Sequence, residues 1–291
     1  MMIDRRPGPT TRVRVTEWRG DGATHHEDRV TTEEPLEVRV ASPGAPPRRF
    51  GVTMRTPGHD FELAAGLLLS EGLVAGVDDV ESVAYCTDRE LTREQELNVV
   101  TVSLTVPPRE EWSARQMSAT SACGVCGTDS LESVEALAAP GRGEPIAYPA
   151  RLLRSLPGRL RGRQRVFDRT GGLHAAGIFG PDGTEVVVRE DVGRHNAVDK
   201  AVGHCLLNRS DPVGGLLCTS GRLGFEIVQK AVMSGIGAVV AVGAPTSLAV
   251  SLAERAGLTV AGFVRADRLV VYAGRVADAD PSTRAPAPNN T

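Results

Sequence analysis

The sequence predicts an α/β protein in which a mostly parallel sheet covered by helices follows a smaller N-terminal α+β part. Three observations predict it. Beyond residue 170, short continuous apolar runs alternate with helical stripes, as strands covered on both faces do. Between residues 11 and 105 the runs alternate polar and apolar around one helical stretch, which reads as α+β with antiparallel strands. The length of 291 residues, with 41% hydrophobic and 24% charged residues, suits one large domain with an annex, or two domains.

In chain order, Val13-Arg14-Val15, Leu36-Glu37-Val38-Arg39-Val40 and Val99-Val100-Thr101-Val102-Ser103-Leu104 have strand character. Asp60 opens a helix through Leu63, Ala64, Leu67, Leu68 and Leu69 that Gly72 closes. After residue 170 come a strand over Gly172 to Phe179, a turn at Asp182-Gly183, and Val186-Val187-Val188. A helix then runs from Asn196 to Leu207, a strand from Gly215 to Thr219, and a helix from Phe225 to Met233. A strand over Ala238 to Val242, a helix from Ser247 to Ala256 and a strand from Leu258 to Phe263 complete the alternation. The division expected is 11–115 for the N-terminal subdomain and 116–276 for the main domain, with disordered tails at 1–10 and 280–291.

Ser121-Ala122-Cys123-Gly124-Val125-Cys126-Gly127 places two thiols three positions apart. Asp129 with Glu132 reads as a capping box for a following helix. The thiols would then precede a helix N-terminus, whose dipole favours thiolate over thiol. Such a pair can share a metal, cycle as a disulfide, or relay sulfur. Structural zinc needs four ligands, and Cys86, Cys205 and Cys218 are scattered singly. The combined zinc-deaminase signature, a His-x-Glu ahead of Pro-Cys-x-x-Cys, is not present. A thioredoxin-type couple would follow an early strand of a small domain, whereas this pair falls mid-chain.

In open α/β sheets, ligands bind beyond the carboxyl ends of strands, and three segments there are unusual. The first is Arg189-Glu190-Asp191-Val192-Gly193-Arg194-His195-Asn196. Arg194 and His195, placed just before a helix, suit an anion such as phosphate; the alternative is capping and ion pairing. The second is the glycine-rich Thr219-Ser220-Gly221-Arg222-Leu223-Gly224-Phe225-Glu226, which matches no phosphate-loop motif. The third is Gly262-Phe263-Val264-Arg265-Ala266-Asp267-Arg268, where Phe263 can stack on a ring and Arg265 and Arg268 can reach anions; by itself it reads as a strand end with surface arginines. Arg194 and Arg265 or Arg268 are expected on one sheet edge, sharing a phosphate. His174, inside an apolar run, reads as a core histidine or as a proton shuttle.

The net charge of −3 gives no basis for nucleic-acid binding. The arginine run at residues 151, 154, 159, 161, 163, 165 and 169 reads as a solvated face or as a site for an anionic ligand or partner. No apolar stretch reaches membrane-spanning length and no signal core follows the N-terminus. Five cysteines in this arrangement make no disulfide framework, so a cytoplasmic protein with reduced thiols is expected.

The succession Cys123-Gly124-Val125-Cys126-Gly127, Glu190-Asp191-Val192-Gly193-Arg194-His195 with Asp199-Lys200, Val228-Gln229-Lys230, Leu248-Ala249-Val250, Ala253-Glu254-Arg255 and Gly262-Phe263 resembles the FdhD family of formate dehydrogenase accessory sulfurtransferases. The resemblance runs from about residue 50 to residue 272. It implies a cytidine-deaminase-like main domain without zinc chemistry, and a homodimer. It also implies a carrier that takes persulfide sulfur from a cysteine desulfurase and passes it to the bis-molybdopterin guanine dinucleotide form of the molybdenum cofactor, destined for formate dehydrogenase. The persulfide-bearing cysteine then falls on Cys123; Cys126 is expected to assist the transfer or to resolve the persulfide as a disulfide when no acceptor is present. The cofactor-binding stretch falls on Phe263, Val264, Arg265, Ala266, Asp267 and Arg268, with Arg194, His195, Arg222 and His174 around the guanine nucleotide. A cofactor chaperone without catalysis and a dithiol oxidoreductase are the rival readings.

Overall fold

The computed structural model describes residues 8–86, 92, 97–107 and 146–277. Cys123, Cys126, the capping box at Asp129, the 115/116 boundary and the tail at 280–291 lie outside the described residues.

Strands β1 (Thr10–Arg19) and β2 (Gly22–Thr31) form an exposed antiparallel ribbon, so regular structure starts inside the expected N-terminal tail. The sequence's His-x-Glu triplet, His25-His26-Glu27, lies on exposed β2. A four-stranded sheet of order β4-β3-β6-β5 follows, from β3 (Glu34–Ser42), β4 (Ala45–Arg55), β5 (Val80–Tyr85) and β6 (Val99–Leu104). Helix α1 (Asp60–Ser70) intervenes between β4 and β5. Against the antiparallel expectation, β3 and β6 pair parallel, because α1 and β5 lie between them in sequence and carry the chain back to the starting end.

After β7 (Tyr148–Pro149), α2 (Ala150–Arg161) and α3 (Phe167–Thr170) comes the main sheet. Its members are β8 (His174–Phe179), β9 (Glu185–Asp191), β10 (Leu216–Thr219), β11 (Ala238–Ala241), β12 (Thr259–Gly262) and β13 (Val270–Ala273). Helices α4 (Arg194–Leu207), α5 (Phe225–Met233) and α6 (Ser247–Arg255) link them, and a short β14 (Val276–Ala277) pairs with β7. The order is β13-β12-β11-β10-β8-β9.

Only β10/β11 and β11/β12 are parallel; β8/β9, β8/β10 and β12/β13 are antiparallel. The sheet is therefore mixed, not mostly parallel. The apolar runs reported burial on both faces, which holds for β10, β11 and β12, but strand direction is set by the connections. Where a helix intervenes, as at α5 and α6, the next strand is parallel; where the Asp182-Gly183 turn intervenes, it reverses.

One face of the sheet packs on α2 through Leu153, Leu156 and Leu160, against Phe179, Leu216, Val240 and Val264. The other packs on α4, α5 and α6, and that apolar cluster continues through α1 into Leu36, Val38, Val100 and Val102 of the N-terminal sheet. Helices α1 and α4 cross at glycines: a Cβ on Gly66 would overlap the Asp199 carbonyl, and one on Gly203 the Glu62 carbonyl.

Buried ion pairs fasten this junction. Arg55, fully buried, holds Asp60 through two 3.0 Å bonds and donates to Asn98 at 2.8 Å. Lys200 meets Asp191 at 2.6 Å and donates to the Thr56 carbonyl at 2.8 Å. Lys230 meets Asp199 at 2.8 Å, and Asp199 also accepts from Ser70. The chain contains only these two lysines, and both are buried. An ammonium carries three donors on a compact head, and each of these two heads is held by a carboxylate.

Candidate functional site: a cationic edge of the main sheet

The carboxyl ends of β9, β10, β11 and β12 and the antiparallel start of β8 lie on one edge, because His174 pairs with Asp191 and Ala176 with Thr219. Ser220 extends this register: its N–H donates to the Ala175 carbonyl, and its Oγ accepts from the Ala175 N–H at 2.9 Å.

At the β9 end, Asp191 accepts from the Gly193 N–H at 2.8 Å and the Asn196 amide at 3.1 Å. These bonds start α4 with Gly193 as its N-cap, so Arg194 and His195 occupy the first helical turn instead of the preceding loop. Glu190 is equally committed, accepting from the Val166 and Phe167 N–H groups at 2.9 and 2.8 Å. Of the first unusual segment, Glu190 and Asp191 are therefore structural, while Arg194 and His195 remain on the edge. The Nε of Arg194 is buried without a hydrogen-bond partner among the described residues. The backbone of Gly221 runs beside it: a Cβ there would sit 3.4 Å from His174 Nδ1 and 3.7 Å from Arg194 Cδ.

His174 is thus a half-buried member of the edge. Burial first, then the charges of Arg194 and His195, lower its pKa below the ordinary 6.5, so the ring is neutral near pH 7 and can accept a proton or a hydrogen bond. His195 Nε2 lies 2.7 Å from Glu226 Oε2. That hydrogen bond outweighs burial and holds the Glu226 carboxyl below its ordinary value. The sequence reading left Glu226 without a role; its place in the first turn of a helix after a glycine-rich loop was the available signal.

Three successive strand-end loops stack tightly. Gly243 N–H donates to the Gly221 carbonyl and Phe263 N–H to the Gly243 carbonyl, both at 3.1 Å. A Cβ on Gly243 would lie 2.7 Å from the Gly221 oxygen. Arg222 is exposed on the middle loop. At the far end Phe263 takes φ 51° and is 40% exposed. A left-handed phenylalanine costs about 1–2 kcal/mol, and such strain, held by surrounding structure, clusters at ligand sites. Val264 is buried, so its side chain is core, whereas Arg265, Ala266, Asp267 and Arg268 form an exposed turn. Arg265 donates to the Val242 and Val264 carbonyls at 3.0 and 2.8 Å, and the Arg268 guanidinium lies 6.0 Å from the Phe263 ring centre.

Arg194 and Arg268 do share one edge. The strand ends they follow are four strand spacings apart, about 19 Å at ~4.8 Å each. That separation suits the two ends of an extended ligand, not one shared phosphate group.

The remaining described cysteines divide clearly. Burial pushes Cys205 up to about 11, and Cys218 is raised further still. Cys86 is half-buried beside Arg39.

The fold and this edge define a mixed α/β protein whose polar chemistry is gathered on one cationic, glycine-built sheet edge. The chain belongs to the FdhD/NarQ family, whose sequence model matches residues 31–277. It is 46% identical over 270 residues to the sulfur carrier protein FdhD of Streptomyces coelicolor, covering 91% of this chain and 94% of that one. It is 46% identical over 271 residues to the protein of that name from Mycobacterium tuberculosis, covering 90% and 96%. The crystal structure of a candidate formate dehydrogenase accessory protein from Desulfotalea psychrophila superposes with a TM-score of 0.69 at 23% identity, covering 91% of this chain and 97% of that one; this likeness concerns the fold alone.

Proposed function

We propose that this chain is a cytoplasmic sulfurtransferase serving formate dehydrogenase. It would take persulfide sulfur on Cys123 from a cysteine desulfurase and deliver it to the bis-molybdopterin guanine dinucleotide cofactor. The observation that carries this reading is similarity along nine-tenths of the chain to proteins named sulfur carriers. The thiol chemistry supports it: Cys205 and Cys218 are buried with raised pKa values and are poor nucleophiles, which leaves the Cys123/Cys126 pair and the single, half-buried Cys86; the pair offers a resolving thiol, Cys86 does not.

The steps balance. Cys123 thiolate attacks the terminal sulfur of the donor persulfide; a new S–S bond forms and the donor cysteine leaves as thiolate. Cys126 thiolate then attacks the inner sulfur of Cys123, expelling hydrosulfide as the ligand for molybdenum. The two electrons come from closing a Cys123–Cys126 disulfide, which a dithiol reductant reopens. The molybdenum cofactor is cargo. Its guanine nucleotide ends would lie along the edge, one on Phe263 and Arg268, the other near Arg194, Arg222, His195 and His174. In a homodimer each copy would carry its own edge.

Incubation with a cysteine desulfurase and cysteine, followed by mass spectrometry, tests the reading. The Cys123 peptide should gain one sulfur, about 32 Da. Cys123→Ala should keep cofactor binding and lose formate dehydrogenase activation. Full activation by that variant would leave only a cofactor chaperone; in a Cys126→Ala protein, which cannot close the disulfide, the added sulfur should persist on Cys123, and its absence there would leave a dithiol oxidoreductase.

The left-handed Phe263 supports a second expectation. Phe263→Gly removes the steric cost at φ 51°, so stability should hold or rise by up to about 1 kcal/mol. Guanosine diphosphate affinity should fall about tenfold with loss of the stacking ring. Urea unfolding and calorimetric titration measure the two; lower stability with unchanged affinity would make Phe263 a packing residue.

A further inference from the structure

Residues 150–170 hold seven arginines and one aspartate. Their formal charge is +6 in a chain of −3, so the other 270 residues together carry −9. The structure shows why this run is not simply a solvated helix face balanced by its neighbours. Helix α2 buries Leu153, Leu156 and Leu160 against the sheet. Arg151 and Arg159 stand exposed on its outer side, eight residues apart, about 12 Å along the axis. The turn after α2 and the short α3 add exposed Arg165 and Arg169. Among the described residues two members form ion pairs: Arg161 meets Asp168 at 2.6 Å and Arg163 meets Glu185 at 2.8 Å; Arg159 also feels the Asp182 carboxylate. Arg159 lies over the Phe179 ring. Arg151, Arg165 and Arg169 have no acidic partner among the described residues.

Two further observations limit what such a face can bind. First, among the described residues none of the large exposed hydrophobic side chains belongs to 150–170. A face of exposed arginine without apolar anchors suits a transient, electrostatically steered encounter, not a permanent interface. Second, the face is tied to the proposed cofactor turn: Arg154 donates to the Asp267 carbonyl at 3.3 Å. A partner on α2 would thus sit beside the sheet edge without covering it.

We propose that the outer face of α2 and α3 docks an acidic surface of the protein that supplies the sulfur. This rests on the carrier reading above. A donor must arrive, transfer one atom and leave. A basic patch on an otherwise acidic chain raises the encounter rate while keeping the complex short-lived. It also gives orientation, since the other residues of the chain carry a net −9 and their summed field disfavours an acidic partner elsewhere.

The test compares the intact chain with the triple variant Arg151→Glu, Arg165→Glu, Arg169→Glu, none of which touches the sheet-edge site. Association with a purified cysteine desulfurase is measured by surface plasmon resonance at 50 and 300 mM salt. The expected result is at least tenfold weaker binding by the variant at low salt, with a steep salt dependence in the parent that the variant lacks. Equal affinities, absent binding by the parent, or a patch that instead captures double-stranded DNA and leaves desulfurase binding unchanged would each overturn the assignment. Loading of Cys123 from inorganic polysulfide is measured in parallel. It should be equal in both proteins, and coincident urea unfolding curves report that the variant is folded. Failure of loading in the parent would remove the carrier reading, while the affinity comparison would still decide the docking surface.

Discussion

Gly203→Ala is expected to lower the unfolding free energy by about 3 kcal/mol or more, at or beyond the upper end of overpacking costs. The added methyl would overlap the backbone carbonyl of Glu62, and neither helix can yield by rotating a side chain. Helices α1 and α4 would have to part. Gly66→Ala should behave the same way from the other side, against Asp199. The effect should also reach the site, because α4 begins with Arg194 and His195, and the Thr56 bonds to Asp191 and Lys200 bridge the same junction. Gly158→Ala on α2 is the control: nothing lies within 4 Å of that position, so the better helix former should stabilise by roughly 0.5–1 kcal/mol. Urea unfolding of the three variants checks the order. A Gly203→Ala protein as stable as its parent would mean that the close crossing is not fixed.

Lys230→Met is expected to cost about 3–5 kcal/mol, the usual consequence of leaving one member of a buried ion pair without its partner. Asp199 would retain only Ser70 and lose the ammonium. Adding Asp199→Asn should recover a large part of the loss, since the uncompensated charge then disappears. The pair also fixes a pH signature. Burial opposes the charge on Lys230, yet attraction to Asp199, with Glu71 and Glu226 behind it, outweighs burial and raises its pKa above the ordinary 10.5. A raised folded value means that the contribution is complete at all pH below about 10.5 and declines only as pH climbs through the folded value. The parent should therefore lose stability in that alkaline window, and Lys230→Met should lack that step. Parallel loss in both proteins would assign the alkaline transition to other groups.

The helices α1, α5 and α6 and strands β10 to β12 were legible because their signals are local: an apolar run, a 3.6-residue stripe, a closing glycine. The ribbon strand β2, with residues such as Gly22, Ala23, His25, His26, Glu27 and Asp28, was not, since its side chains are exposed and give no hydrophobic period. Strand β4 failed for a related reason, opening with exposed Pro and Arg, and β13 lies on the edge of the sheet, only partly buried where β10 to β12 are buried throughout.

The site divides in the same way. Sequence by itself determined which residues could carry chemistry: the thiol pair, Arg194 and His195 near a helix start, Phe263 with Arg265 and Arg268 after a strand. Only the tertiary structure decided which of them are free to do so. Asp191 and Lys200 sit nine residues apart in the same motif as Arg194, and sequence spacing cannot say that they neutralise each other in the core. Nor can it say that Arg265 spends its guanidinium on two carbonyls, or that Glu226 meets His195. The reason is physical: propensity and periodicity act within a few residues, whereas burial, ion pairing and the close approach of Gly66 to α4 depend on separate elements, some more than a hundred residues apart, being brought together by the core.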